Sequence, residues 1–151
     1  LDVSGGLFAD GAVRGRAVLA YEDGDTFEKV AHNEKTMFYG ILEFDLSDAT
    51  LLTLGGTYDD RDQPYTAFGL PRFSDGRDLK LPRSTYIAPS WATYDTRIDT
   101  LFLQLKQQIN QDWEVTLDVV DTSQKNDRMG LNFASTVNPV NFSAGASTAT
   151  R

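Results

Sequence analysis

Apolar and polar residues alternate with a period of two along most of this chain, in segments of roughly ten residues. In Val13–Glu22 one side reads Val13, Gly15, Ala17, Leu19 and Tyr21, and the other reads Arg14, Arg16, Val18, Ala20 and Glu22. Lys35–Leu46 sets Thr36, Phe38, Gly40, Leu42, Phe44 and Leu46 against Lys35, Met37, Tyr39, Ile41, Glu43 and Asp45. Leu51–Asp60 sets Leu52, Leu54, Gly56 and Tyr58 against Leu51, Thr53, Gly55, Thr57 and Asp59. Trp113–Asp121 sets Trp113, Val115, Leu117 and Val119 against Glu114, Thr116, Asp118 and Val120. Thr96–Ile109 is less regular, because Phe102 falls among Thr100, Gln104 and Lys106. A period of two sends successive side chains to opposite sides of a sheet, so these segments predict strands with one apolar and one wet side. No comparable helical period appears. With a partial strand at Leu1–Leu7, the pattern predicts six strands.

The connections narrow the topology. Short turns are expected at Phe8–Ala12 (with Asp10-Gly11), Ser47–Thr50 and Asn110–Asp112, and longer links at Asp23–Glu34 and from about Arg61 to Asp95. Short and long links alternate, so every short turn falls at one end of the sheet. Outer-membrane barrels have that arrangement, with tight periplasmic turns and long outer loops. Aromatics fall where two interfacial girdles would lie: Tyr21, Phe38 and Tyr58 towards the long links, Phe44 and Trp113 towards the short turns. The expected fold is all-β, an antiparallel up-and-down meander forming part of a transmembrane β-barrel. Alternation alone also fits a soluble sandwich, since it does not say whether the apolar side meets lipid or a protein interior. A membrane barrel closes with about eight strands or more, so the six expected here would be a piece of a larger one.

Composition removes several alternatives. Fourteen Lys and Arg stand against 22 Asp and Glu, for a net charge of −8, which argues against a nucleic-acid partner. There is no cysteine, hence no disulfide, thiol catalysis or zinc–thiolate site. No apolar run approaches the ~20 residues of a membrane-spanning helix, and Leu1–Gly6 shows no signal-peptide pattern. His32 is the only histidine and sits in a polar link, so neither a histidine metal site nor a Ser-His-Asp triad is indicated. Asp23-Gly24-Asp25 with Glu34 faintly suggests a calcium loop, but Phe27 occupies a ligand position and Glu28 the place that needs glycine. Carboxylates are plentiful without a pairing that marks a glycosidase. The expectation is no enzyme and no resident cofactor.

Several stretches resemble the barrel of TonB-dependent ferric-siderophore receptors. Asp2-Val3-Ser4-Gly5-Gly6-Leu7 followed by Asp10-Gly11-Ala12-Val13-Arg14-Gly15-Arg16 is similar to that family's early strands, with Gly6 where proline is usual. Phe27, Lys35-Thr36, Tyr39-Gly40, Asp45-Leu46, Thr50-Leu51-Leu52-Thr53 and Gly55 follow in the family's order. So do Gly69-Leu70-Pro71, Asp75-Gly76, Leu81-Pro82-Arg83-Ser84 and Trp91-Ala92-Thr93-Tyr94-Asp95 in the long link. The resemblance covers residues 2–120. It implies an outer-membrane receptor that binds ferric siderophore as transported cargo, contacts outer-membrane lipid, and is driven by TonB through parts outside this chain. Residues 1–122 are read as barrel strands and loops, and 123–151 as an outer loop or flexible tail, Ser143–Thr150 being small and polar. The rival reading is a soluble all-β module binding a ligand such as carbohydrate.

The long link gathers Tyr65, Phe68, Phe73, Tyr86, Trp91 and Tyr94 with Arg72, Arg77, Lys80 and Arg83. A ferric siderophore is bulky, often anionic, and presents flat faces, which aromatic walls and a few cations suit by stacking and charge attraction. Tyr65, Phe73, Arg83, Trp91 and Tyr94 are the candidate ligand residues. The competing role for each is to fold the loop back upon itself. On the polar side, Arg14, Arg16, Lys35, Glu43, Asp45 and Asp118 are expected to line a lumen and pair across strands.

Overall fold

A computed structural model describes residues 1–8, 11–65, 69–133 and 135–150. Its strands are β1 (Asp2–Phe8), β2 (Val13–Asp25), β3 (His32–Ser47), β4 (Thr50–Pro64), β5 (Thr93–Gln108), β6 (Glu114–Phe133) and β7 (Ala146–Thr150). They form one sheet in sequence order, β1-β2-β3-β4-β5-β6-β7, each hydrogen-bonded to the next, with β1 and β7 at its edges. This is the expected up-and-down meander, with one strand more than the alternation revealed. β6 runs on past residue 122 to Phe133, and β7 pairs antiparallel with its end, Met129 opposite Thr150 and Phe133 opposite Ala146. Residues 124–128 read Gln-Lys-Asn-Asp-Arg, so no apolar side marks them as strand. Backbone pairing and polar contacts such as Thr96 Oγ1 to Asn126 Oδ1, 3.0 Å, hold this stretch.

The chain divides into two compact units. The first comprises Leu1–Tyr21, Lys35–Asp60 and Arg97–Lys125, and the second Glu22–Glu34, Arg61–Thr96 and Asn126–Arg151. Every short turn belongs to the first and every long connection to the second. The expected first turn includes Ala9 and Asp10, which lie outside the described residues; Gly11 follows at φ 98°, a conformation that suits glycine. At the β3–β4 turn, Ser47 Oγ donates to Thr50 Oγ1 (2.9 Å), which donates to Gln107 Oε1 (2.7 Å). At the β5–β6 turn, Asn110 Oδ1 accepts from the N–H groups of Asp112 and Trp113 at 2.9 and 3.0 Å. At this second turn a side-chain acceptor takes up backbone donors that the reversal leaves outside the ladder.

The first unit has no apolar interior among its described residues; Thr53 is its single buried side chain. Leu19, Leu42, Leu54 and Leu117 on the apolar side are 47, 39, 37 and 54% exposed. A soluble sandwich would bury these positions against a second sheet. Among the described residues the apolar side therefore meets no covering layer, and contiguous exposed aliphatic surface of this kind marks a contact with lipid or another apolar phase. Tyr21, Phe38 and Trp113 are exposed on the same side, as interfacial girdles require.

The opposite side is tied by charge. Arg14 Nε lies 2.6 Å from Glu43 and its Nη1 2.6 Å from Asp45, while Arg16 pairs with Asp2 at 2.6 Å and Lys35 with Asp59 at 3.4 Å. Gln104 Nε2 donates to Asp118 at 2.7 Å. The register that sets Asp2 opposite Val18 and Ser4 opposite Arg16 fixes which side chains share this surface. These pairs are part-exposed, so each adds little stability by itself but penalises a slipped register, which would part the opposite charges.

Phe102, the residue that broke the alternation of β5, has a physical reason. Its ring lies over Gly55 on β4, in the space a Cβ at that position would occupy, and the Gly40 carbonyl oxygen would be only 2.7 Å from that Cβ. An aromatic ring covering a strand glycine recovers packing that glycine cannot supply. Gly55→Ala is expected to cost about 1–3 kcal/mol through overpacking against both neighbours. Urea unfolding of the whole receptor in detergent measures this, and an unchanged midpoint would remove the ring–glycine contact as a constraint.

Candidate functional site

The second unit carries the chain's long connections, and its sequence explains how they hold a shape. The β4–β5 connection reverses at a turn in which Thr85 N donates to Pro82 O (2.9 Å) and another in which Ala92 N donates to Pro89 O (2.9 Å). In each, the proline stands first in the turn, and its carbonyl accepts the closing bond. The reversals bring Ala88 and Ala92 onto Tyr65, with Tyr86 and Tyr94 packed against the same group. Tyr86 donates its phenol O–H to Tyr65 O at 3.3 Å; burial, then the nearby Glu28 carboxylate, pushes that phenol above the usual tyrosine range. Tyr65 is 4% exposed. Its ring faces Gly130 on β6, where any side chain would collide with it, and the Arg128 guanidinium lies 5.9 Å from its centroid.

A second group forms around Phe73. Arg72 and Asp78 bridge an antiparallel hairpin whose turn is closed by Gly76 N donating to Phe73 O at 2.9 Å, with Gly76 at φ 85°. The Arg77 guanidinium lies 5.3 Å from the Phe73 centroid and bonds the Asp75 carboxylate, Nε to Oδ2 2.8 Å, holding that carboxyl below its usual range. Val137 pairs alongside, Ser74 N donating to Val137 O and Val137 N to Arg72 O, both at 2.9 Å. Phe142 meets Phe73 edge to face at 5.8 Å.

A third group joins two connections. Lys29 N, in the β2–β3 hairpin, donates to Ser84 O at 2.9 Å, and the Arg83 guanidinium stacks on Phe27 at 4.8 Å from its centroid. Phe27, Glu28, Leu70, Arg83, Tyr86 and Ile87 line a small cleft of about 250 Å³ there.

The five candidate ligand residues thus fall in different places. Tyr65 is the buried hub and Tyr94 packs against it. Phe73 belongs to the hairpin group, Arg83 is exposed over Phe27, and Trp91 is 47% exposed. Phe68 lies outside the described residues. Arg128, Gly130, Val137 and Phe142 were not singled out from sequence, because they follow the last recognisable alternation. Among the described residues no group of three or more His, Asp or Glu side chains is placed to hold a metal ion.

An open antiparallel meander with one exposed aliphatic side, a charge-paired side, tight turns in one unit and long connections in the other defines a segment of an outer-membrane β-barrel. No family model matches the chain. Ferric-pyoverdine receptor PbuA of a Pseudomonas species is 37% identical over 144 residues, which are 95% of this chain and 17% of that receptor. The ferripyoverdine receptor of Pseudomonas aeruginosa is 37% identical over 123 residues, 78% of this chain and 15% of that receptor. Among solved structures, P. aeruginosa FpvA bound to a heterologous pyoverdine–iron complex superposes with a TM-score of 0.88 at 29% identity, covering 99% of this chain and 20% of that one. FpvAI in complex with pyocin S2 gives a TM-score of 0.86 at 28% identity, covering 97% of this chain and 20% of that one. The chain is a segment of the barrel in the TonB-dependent ferric-siderophore receptor family, which places it in the outer membrane and with receptors rather than enzymes. It spans about a sixth of the length of these relatives.

Proposed function

We propose that the protein containing this segment binds a ferric siderophore of the pyoverdine class and carries it across the outer membrane, with TonB acting on parts outside this chain. The observation that carries the reading is the match over nearly the whole chain, long connections included, to receptors named for ferric pyoverdine. In this reading the first unit is barrel wall against lipid, and the second unit supplies outer loops. The rival soluble module has no support in the exposed aliphatic side, which would lie in water.

Within the loops, Trp91, Arg83 and Phe73 offer surface to a ligand, whereas Tyr65 and Tyr94 act by shaping the loop. A flat chelate face stacks on an indole, and a guanidinium attracts an anionic carrier. Trp91→Ala in the whole receptor is expected to weaken ferric-pyoverdine binding by roughly three- to tenfold, the loss of one stacking partner. Equilibrium binding and uptake of radiolabelled iron–siderophore measure it. Unchanged affinity and uptake would take Trp91 out of the site, and failure of the receptor to bind any ferric pyoverdine would overturn the class of cargo.

A further inference from the structure

His32 opens β3 and faces the end of β2, in the second unit. Its Nδ1 lies 3.0 Å from Asp25 Oδ1 and its Nε2 3.0 Å from Asp23 Oδ1. Ionised carboxylates only accept hydrogen bonds, and a neutral imidazole carries a single N–H. Both contacts can be hydrogen bonds at once only when the ring holds two protons. Glu34, on the same side of β3 as His32, adds a third carboxylate, and alternation along β4 puts Asp62 on that side too. Lys35 projects from the opposite side of β3, where it meets Asp59.

Just beyond this pair the hairpin closes, Thr26 N donating to Ala31 O at 2.9 Å. Its tip holds the β4–β5 connection through Lys29 N to Ser84 O and through Phe27 under Arg83. We propose that His32 is a proton-dependent clamp: its imidazolium fastens the base of the β2–β3 hairpin, and loss of the proton loosens the hairpin's hold on the β4–β5 connection.

The hydrogen bond with Asp25 raises the His32 pKa above its ordinary 6.5; burial opposes it, and the charges of Asp23, Asp25 and Glu34 add to the rise. A raised folded-state pKa means the stabilising contribution is fully present below the unfolded value, near 6.5, and is lost as pH rises through the higher folded value. Above it, one ring nitrogen turns a lone pair towards a carboxylate, and Asp23, Asp25 and Glu34 are left beside a neutral ring.

Hydrogen exchange of the hairpin in the whole receptor tests this, using peptides spanning residues 24–33, corrected for the intrinsic pH dependence of exchange. Protection is expected to fall several-fold between mildly acidic and mildly alkaline pH in the wild type. His32→Gln should give the low value at both pH values, and His32→Arg, a permanent cation with several donors, should keep protection at both. Equal wild-type protection at the two pH values would overturn the clamp, as would a wild-type response in His32→Gln. The readout needs no siderophore, so it stands or falls separately from the cargo assignment.

Discussion

Leu54→Arg is expected to destabilise the receptor folded in a bilayer by about 2–4 kcal/mol, the cost of an arginine on the lipid side near the midplane of a barrel wall. Leu54 lies well inside β4, away from either turn, and shares its side with Leu42 and Leu19. If water rather than hydrocarbon touched this side, an exposed leucine could become arginine with a change of no more than about 0.5 kcal/mol. The two environments thus predict outcomes separated by several times the usual error. Refolding of the whole receptor into lipid vesicles, followed across a urea series, reads the difference. Thr57→Arg, three residues along on the wet side, is the matched control and should cost much less. Equal small effects for both would refute lipid contact at Leu54.

Tyr65→Ala carries the other large effect. The ring of Tyr65 is the one large side chain in the second unit's buried group, and it lies against Ala88, Ala92, Tyr86 and Tyr94. Removing it leaves a cavity between two alanines and two tyrosine rings, for which about 3–5 kcal/mol is the usual loss on truncating a buried aromatic. That loss falls locally on the β4–β5 connection, because the first unit's strand pairing involves none of these side chains. Limited proteolysis of the receptor is expected to open cleavage between residues 69 and 92 in Tyr65→Ala, with barrel stability unchanged. A resistant loop would show that Tyr65 is dispensable to loop order.

Most of the sheet was legible in the sequence because a two-sided strand writes its environment residue by residue. Val13–Tyr21 and Lys35–Leu46 each keep their charged residues to one side, and the structure pairs them as adjacent strands. Three things escaped. Phe102 read as an irregularity, since its partner is an absence, the missing side chain of Gly55, which no pattern of apolar residues displays. The far half of β6 escaped because Gln124 to Arg128 are polar on both sides, as a strand wetted on both sides permits. The loop's motifs marked its kinship, but its aromatics announced only contact with something; whether that was a ligand or another part of the loop depended on turns at Pro82 and Pro89. Hence Tyr65 and Trp91 looked alike in sequence and differ more than tenfold in exposure.

The division between clipped reversals and extended connections has an evolutionary corollary. A one-residue insertion inside Lys35–Asp60 would turn every later side chain of that strand over, sending Glu43 or Asp59 into hydrocarbon, unless a bulge absorbed it. Between residues 69 and 92 no such parity applies. Descendants of one wall can therefore lengthen or shorten this connection alone, while the staves of the barrel keep a fixed count.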